Sequence, residues 1–183
     1  GGTSFFSRTE IKDIMAYLRL VINPDDDNAL LRIINTPRRQ IGTSTIETLS
    51  LYATERDISL FAATQEMGLA QRLSAAAYQR IQQFSQWVLH VMNQCEAAEP
   101  IPALREMLED MDYIGWLHQQ ASSPQVADRR MENVEFLIQS IDKTLTSANQ
   151  ENLTEEPAIT LKDAIAKLVL MDLLEQQEQE DNS

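Results

Sequence analysis

Arg38, Arg39, Gly42 and the hydroxyls of Thr43, Ser44 and Thr45 fall together in the stretch Asn35-Thr36-Pro37-Arg38-Arg39-Gln40-Ile41-Gly42-Thr43-Ser44-Thr45. Those are the parts needed to hold a phosphate. Glycine has no Cβ, so it tolerates φ > 0 and lets the main chain come close to a ligand. Ser44 with Glu47 three residues on reads as a capping box opening a helix, whose first N–H groups and positive dipole end would favour an anion. Two arginines alongside would add charge-assisted contacts. A Pro/Gly turn joining two helices needs no ligand at all, and residue types alone leave both readings open.

Charge decides where such a site can lie. The chain has 183 residues, 43% of them hydrophobic, and a formal net charge of −13, which suits one globular core and argues against general nucleic-acid binding. Residues 1–90 carry nine Lys/Arg and nine Asp/Glu, whereas residues 91–183 carry six and nineteen. An anion site therefore belongs in the first half. Cys95 is the only cysteine, so no intrachain disulfide can form, and a reduced, cytoplasmic setting is expected. No run approaches the roughly 18 apolar residues of a membrane span, and no membrane partner is expected.

The elements that must position the turn are helices. Apolar residues recur at three- and four-residue spacing nearly throughout. Ser7 and Glu10 read as a capping box for a helix carrying Ile11, Ile14, Met15, Leu18, Val21 and Ile22 and stopping at Asn23-Pro24. Asp25-Asp26-Asp27 then places acids at the start of a second helix through Ala29, Leu30, Ile33 and Ile34, a dipole effect rather than a calcium loop. A third helix is expected from about Ser44 to Glu55, and a fourth from Ser59 to Met67, closed by Gly68. The longest, Ser74 to Ala98, carries the stripe Tyr78, Ile81, Phe84, Trp87, Val88, Val91 and Met92, read as core. Pro100 and Pro102 break the chain, and Ala103 to Met111 resumes, with Tyr113, Trp116 and Leu117 packing at its end. Pro124 opens a helix to about Leu145. Residues 146–158 read as a polar loop, Thr160 and Asp163 as the cap of a last helix through Leu173, and 175–183 as a fraying acidic tail. The fold class is all-α, with about seven to nine helices.

Enzymatic constellations are missing. There is no GK[ST] phosphate loop, nucleophile elbow, zinc-spaced Cys/His set or H-E-x-x-H. His90 has no second ligand at metal spacing, Cys95 reads as core filler, and Glu109, Asp110 and Asp112 read as solvated charge. No metal or cofactor is expected in this chain, and no catalytic residue.

The order of motifs resembles a known family. Gly1-Gly2-Thr3-Ser4-Phe5-Phe6-Ser7-Arg8-x-Glu10-Ile11-Lys12-Asp13, Ala16-Tyr17-Leu18-Arg19, Asn23-Pro24-Asp25-Asp26-Asp27 and Arg32-Ile33-Ile34-Asn35-Thr36-Pro37-Arg38-Arg39-x-Ile41-Gly42 closely resemble the middle of UvrD/Rep/PcrA-type DNA helicases of superfamily one, with the first and third runs nearest the Rep group. The likeness continues more loosely through Gly68-Leu69, Met111-Asp112-Tyr113, Trp116-Leu117 and Arg130-Met131-x-Asn133-Val134.

The resemblance implies the 2B subdomain, a helical insertion in the second RecA-like motor domain. Residues 1–6 would be a short extended hinge segment, 7–174 the subdomain and 175–183 the tail. ATP and Mg binding would lie elsewhere in a parent 3′-to-5′ helicase of DNA replication or repair. In the family this subdomain swivels, touches duplex ahead of the fork through a helix-hairpin-helix-like Gly-Ile-Gly turn, and tunes unwinding. Here that turn is Gln40-Ile41-Gly42. The implied duplex contacts are Arg38, Arg39, Gln40, Ile41, Gly42, Thr43 and Ser44, with Ile41 buried as a brace, Gly42, Thr43 and Ser44 offering main-chain or hydroxyl donors to phosphates, and Arg38 and Arg39 supplying charge. Gly1, Gly2, Arg8, Glu10 and Lys12 would be hinge or inter-subdomain residues. Partners would be double-stranded DNA at a fork, the other subdomains of the helicase and replication proteins. The competing reading is an autoinhibitory, protein-interaction lever whose acidic half docks on basic surfaces.

Overall fold

Among the described residues, nine α-helices and two short 3₁₀ turns carry the architecture and no strand occurs. The computed structural model describes residues 4–97, 99–151 and 158–182, with main chain only at 149–151. Gly1 and Gly2, and residues 152–157 of the expected loop, lie outside the described residues. Two compact units divide the chain. Residues 1–15 and 98–183 form one, and residues 16–97 the other. The helix α1, Thr9–Ile22, supplies residues to both.

The first unit is organised by α8, Pro124–Glu151, which packs against α6 (Pro100–Asp110), α7 (Tyr113–Gln120) and α9 (Leu161–Asp181). Its apolar stripe of Ala127, Val134, Leu137, Ile138, Ile141 and Leu145 is buried with Leu104 and Met107 of α6 and Leu117 of α7. Asn133 on the same helix joins two residues at the start of α1. Its Oδ1 accepts from Arg8 Nη1 at 2.9 Å, and its Nδ2 donates to Glu10 Oε2 at 2.9 Å. Phe5 stacks edge-on against Phe136, with ring centroids 5.5 Å apart. The fully buried Tyr113 donates its hydroxyl to Asp13 Oδ2 at 3.1 Å.

Several boundaries differ from expectation. Phe5–Ser7 is a 3₁₀ turn rather than extended hinge. The Ser7/Glu10 capping box does not form, because Ser7 Oγ donates back to Ser4 O and Glu10 is engaged by Asn133. Pro100 opens α6 instead of breaking the chain, since a first-turn proline gives up only an N–H that has no helical partner anyway. Tyr113 starts a helix of its own, capped by Asp112, whose carboxylate accepts from Gly115 N. The helix α8 continues six residues past Leu145, because Thr146 to Glu151 contains no proline or glycine to stop it. The Gln/Glu-rich end of α9 is likewise helical to Asp181 rather than a tail, these being good helix formers even when they bury nothing. The Thr160/Asp163 cap forms as a full capping box.

The second unit holds the turn. It comprises the later half of α1, α2 (Asp27–Ile33), α3 (Thr43–Arg56), α4 (Leu60–Thr64), a 3₁₀ turn at Met67–Gln71 and α5 (Ala75–Ala97). Leu30, Ile33, Ile34, Leu49, Ala63, Leu69 and Ile81 are among its most deeply buried residues. The acid run works as helix caps. Asp26 accepts from Ala29 N at the start of α2, while Asp27 accepts from Leu60 N and Asp25 from Ser59 Oγ at the start of α4. The fourth helix ends at Thr64, not Met67, and Gly68 sits inside the 3₁₀ turn rather than closing a helix.

Candidate nucleic-acid interface

The turn between α2 and α3 alternates in orientation. Arg38 is exposed, Arg39 half-buried, Gln40 exposed and Ile41 buried at 1% exposure. Two polar hubs hold it that way. Asn35 Oδ1 accepts from the main-chain N–H of Arg39 at 2.8 Å and of Ile41 at 3.2 Å. The Arg39 guanidinium turns inward, where Nη1 donates to Ile33 O at 2.6 Å and Nη2 to Tyr17 Oη at 2.7 Å.

The paired arginines therefore have different surroundings. Arg38 makes no hydrogen bond or ion pair among the described residues. Arg39 lies over the rings of Phe84 and Trp87, at 5.0 and 5.3 Å from their centroids. Sequence reasoning places both beside the turn as equals and misses Asn35, Tyr17 and Trp87 as its supports. By spacing alone Trp87 belongs to the core stripe, and nothing local links Tyr17 to position 39.

Backbone geometry departs from expectation in two places. The left-handed residue is Gln40, at φ 59, and not Gly42, whose φ is −81. A glycine at position 40 would take that conformation without strain. Gly42 is instead the N-cap of α3, which starts at Thr43, so Ser44 lies inside the first turn and no Ser44/Glu47 capping box forms. The first helical bond is Ile46 N to Gly42 O at 3.1 Å. The N–H groups of Thr43, Ser44 and Thr45 precede it, and the N-cap residue offers them no side chain. A Cβ at Gly42 would meet no atom within 4 Å, so the approach to this helix start is open. Thr43 and Ser44 are both exposed.

The remaining residues singled out from the sequence have other surroundings. Arg8 and Glu10 meet through Asn133, and Glu10 is buried, whereas Lys12 is exposed. Cys95 is half-buried rather than part of the core, and burial, helped by the nearby Glu96 carboxylate, pushes its thiol up to about 11. No described helix is long and apolar enough to cross a membrane.

An exposed arginine in a turn that leads into an uncapped helix start is chemistry suited to an anion such as a phosphate. The UvrD-like helicase C-terminal domain model matches residues 1–183, and the chain belongs to that family. It is 42% identical over 181 residues to the ATP-dependent DNA helicase Rep of Escherichia coli, covering 99% of this chain and 26% of the relative. The Rep helicase of Salmonella typhimurium is 41% identical over 181 residues, with the same coverage of both chains. The ATP-dependent DNA helicase PcrA of Bacillus subtilis is 33% identical over 98% of this chain and 23% of its own length. The chain thus spans about a quarter of the length of these relatives.

Proposed function

We propose that this chain is the duplex-contacting 2B subdomain of an ATP-dependent 3′-to-5′ DNA helicase of the Rep type, acting in replication or repair. ATP and Mg are bound by other parts of the parent protein, and the subdomain regulates unwinding instead of catalysing it. One observation carries the reading: Arg38, with no partner among the described residues, stands exposed beside the uncapped start of α3. A phosphate there would accept from the N–H groups of Thr43 and Ser44 and from their hydroxyls, and pair with Arg38. None of these groups reads base edges, so binding is independent of sequence. The charge of residues 1–90 is even, so the stretch of sequence that carries the turn adds no net acidity of its own.

A second reading has its own support. Late in α9 the leucines face outward, with Leu170, Leu173 and Leu174 about half exposed while Asp172 is buried. That apolar, acidic surface suits a lever docking on another protein surface. Arg38→Glu in the full-length helicase separates the two. The duplex-contact reading expects weaker fork binding and a log–log salt slope reduced by about 1 or more. Unchanged fork affinity across a salt titration, with altered unwinding on disruption of the α9 face, would favour the lever.

A further inference from the structure

The inward-turned guanidinium is the best-built polar centre in the second unit. Arg39 Nη1 donates to Ile33 O at 2.6 Å and lies within 3.3 to 3.4 Å of the carbonyls of Ile34, Thr36 and Pro37. It thereby caps the end of α2 and gathers the carbonyls of the turn onto a single cation. Tyr17, itself 2% exposed, accepts from Nη2 and donates its own hydroxyl to Thr36 O. The rings of Tyr17, Phe84 and Trp87 surround the guanidinium, and Tyr17 meets Trp87 edge-on with centroids 6.0 Å apart. A planar fork with five donors can satisfy several carbonyls and a hydroxyl at once while stacking on aromatic faces. An ammonium cannot.

We infer that Arg39 is a positioning residue and not a phosphate ligand: with Tyr17 and Asn35 it locks the 33–41 turn so that Arg38 and the N-terminus of α3 are presented together. The inference rests on the duplex-contact reading for its consequence, but the lock itself can be tested without DNA. Its cation is spent on main-chain carbonyls, and its neighbours on either side point out while it points in. Beside it, the single oxygen of Asn35 holds the main-chain N–H groups of both Arg39 and Ile41. The left-handed Gln40 lies between these two anchors, and the Arg39 fork braces the carbonyls of Thr36 and Pro37 just before them.

Tyr17→Phe deletes one buried hydroxyl that no DNA can reach, and Arg39→Lys keeps the charge but loses the fork. In the 183-residue chain, both should speed amide hydrogen exchange at Ile41 by about tenfold or more, while exchange in the centre of α8 stays unchanged. Trp87 emission, read in a Trp116→Phe background, should shift in Arg39→Lys as the stacked guanidinium is lost. In the full-length helicase both should weaken binding to a duplex fork several-fold. A direct phosphate role predicts the opposite pattern: Tyr17→Phe silent in exchange and binding, and Arg39→Lys binding like wild type. Either result overturns the lock. Should Tyr17→Phe melt the domain, Arg39→Lys decides alone. If Arg38→Glu leaves fork binding intact, the duplex-contact reading fails while the exchange data still judge the lock.

Discussion

Gly68 lies so close to Tyr52 that a Cβ on the glycine would come within 2.5 Å of the phenolic oxygen. The ring is pinned from other directions as well. Its hydroxyl donates to Glu66 Oε1 at 3.2 Å, Arg56 holds the same carboxylate at 3.0 Å, and Arg72 sits over the ring face. The glycine is needed here for space, because its φ is not positive.

Gly68→Ala should therefore destabilise the chain by about 1–3 kcal/mol, the usual cost of overpacking. Tyr52→Phe removes the offending oxygen and leaves the next ring atom at 3.5 Å, an ordinary contact. The double variant should recover most of the loss, and a denaturant double-mutant cycle measures the coupling. Additive losses would show that the hydroxyl is not what excludes the side chain.

Gln40→Gly should be neutral to stabilising, by up to about 1 kcal/mol. A non-glycine residue in the left-handed region costs about 1–2 kcal/mol, and glycine's greater chain entropy takes back about half of that. Thermal melting checks it. A clear loss of stability would mean that the Gln40 side chain contributes contacts of its own.

How much is legible in the sequence follows the range of the interactions. The helical class and the Thr160/Asp163 cap follow from spacing and local chemistry, the buried Ile41 from the family resemblance, and the structure reproduces all three. The two arginines cannot be told apart that way, because what distinguishes them is an aromatic box assembled from positions 17, 84 and 87. Asn133 is visible only as part of a motif, since its partners lie 123 and 125 residues away. Helix ends go astray where polar composition reads as loop: the end of α8 and the Gln/Glu-rich end of α9 keep helical main chain without needing a buried face.

Acid should loosen the start of α9. The main-chain N–H of Thr160 holds the Asp163 carboxyl below its usual value, with the Thr160 hydroxyl adding to the effect. A carboxyl lowered on folding stabilises above its unfolded value, and that contribution is lost as pH falls through the folded value. Amide protection at Ala164, whose N–H bonds to Thr160 O, should fall as pH drops below the ordinary carboxylate range. Asp163→Asn should flatten that dependence. Identical pH profiles in the two proteins would place the acid sensitivity elsewhere.

The loop at Asn23 to Asp27 is exposed in large part, and exposed loops ordinarily accept inserted sequence or a relocated chain end. Here Asp26 secures the first turn of α2, while Asp25 and Asp27 secure Ser59 and Leu60 at the start of α4. Spreading these three acids apart by even a few residues would detach one helix start or the other. For anyone cutting, permuting or tagging this domain, the loop is a joint to leave closed, despite its accessibility to solvent.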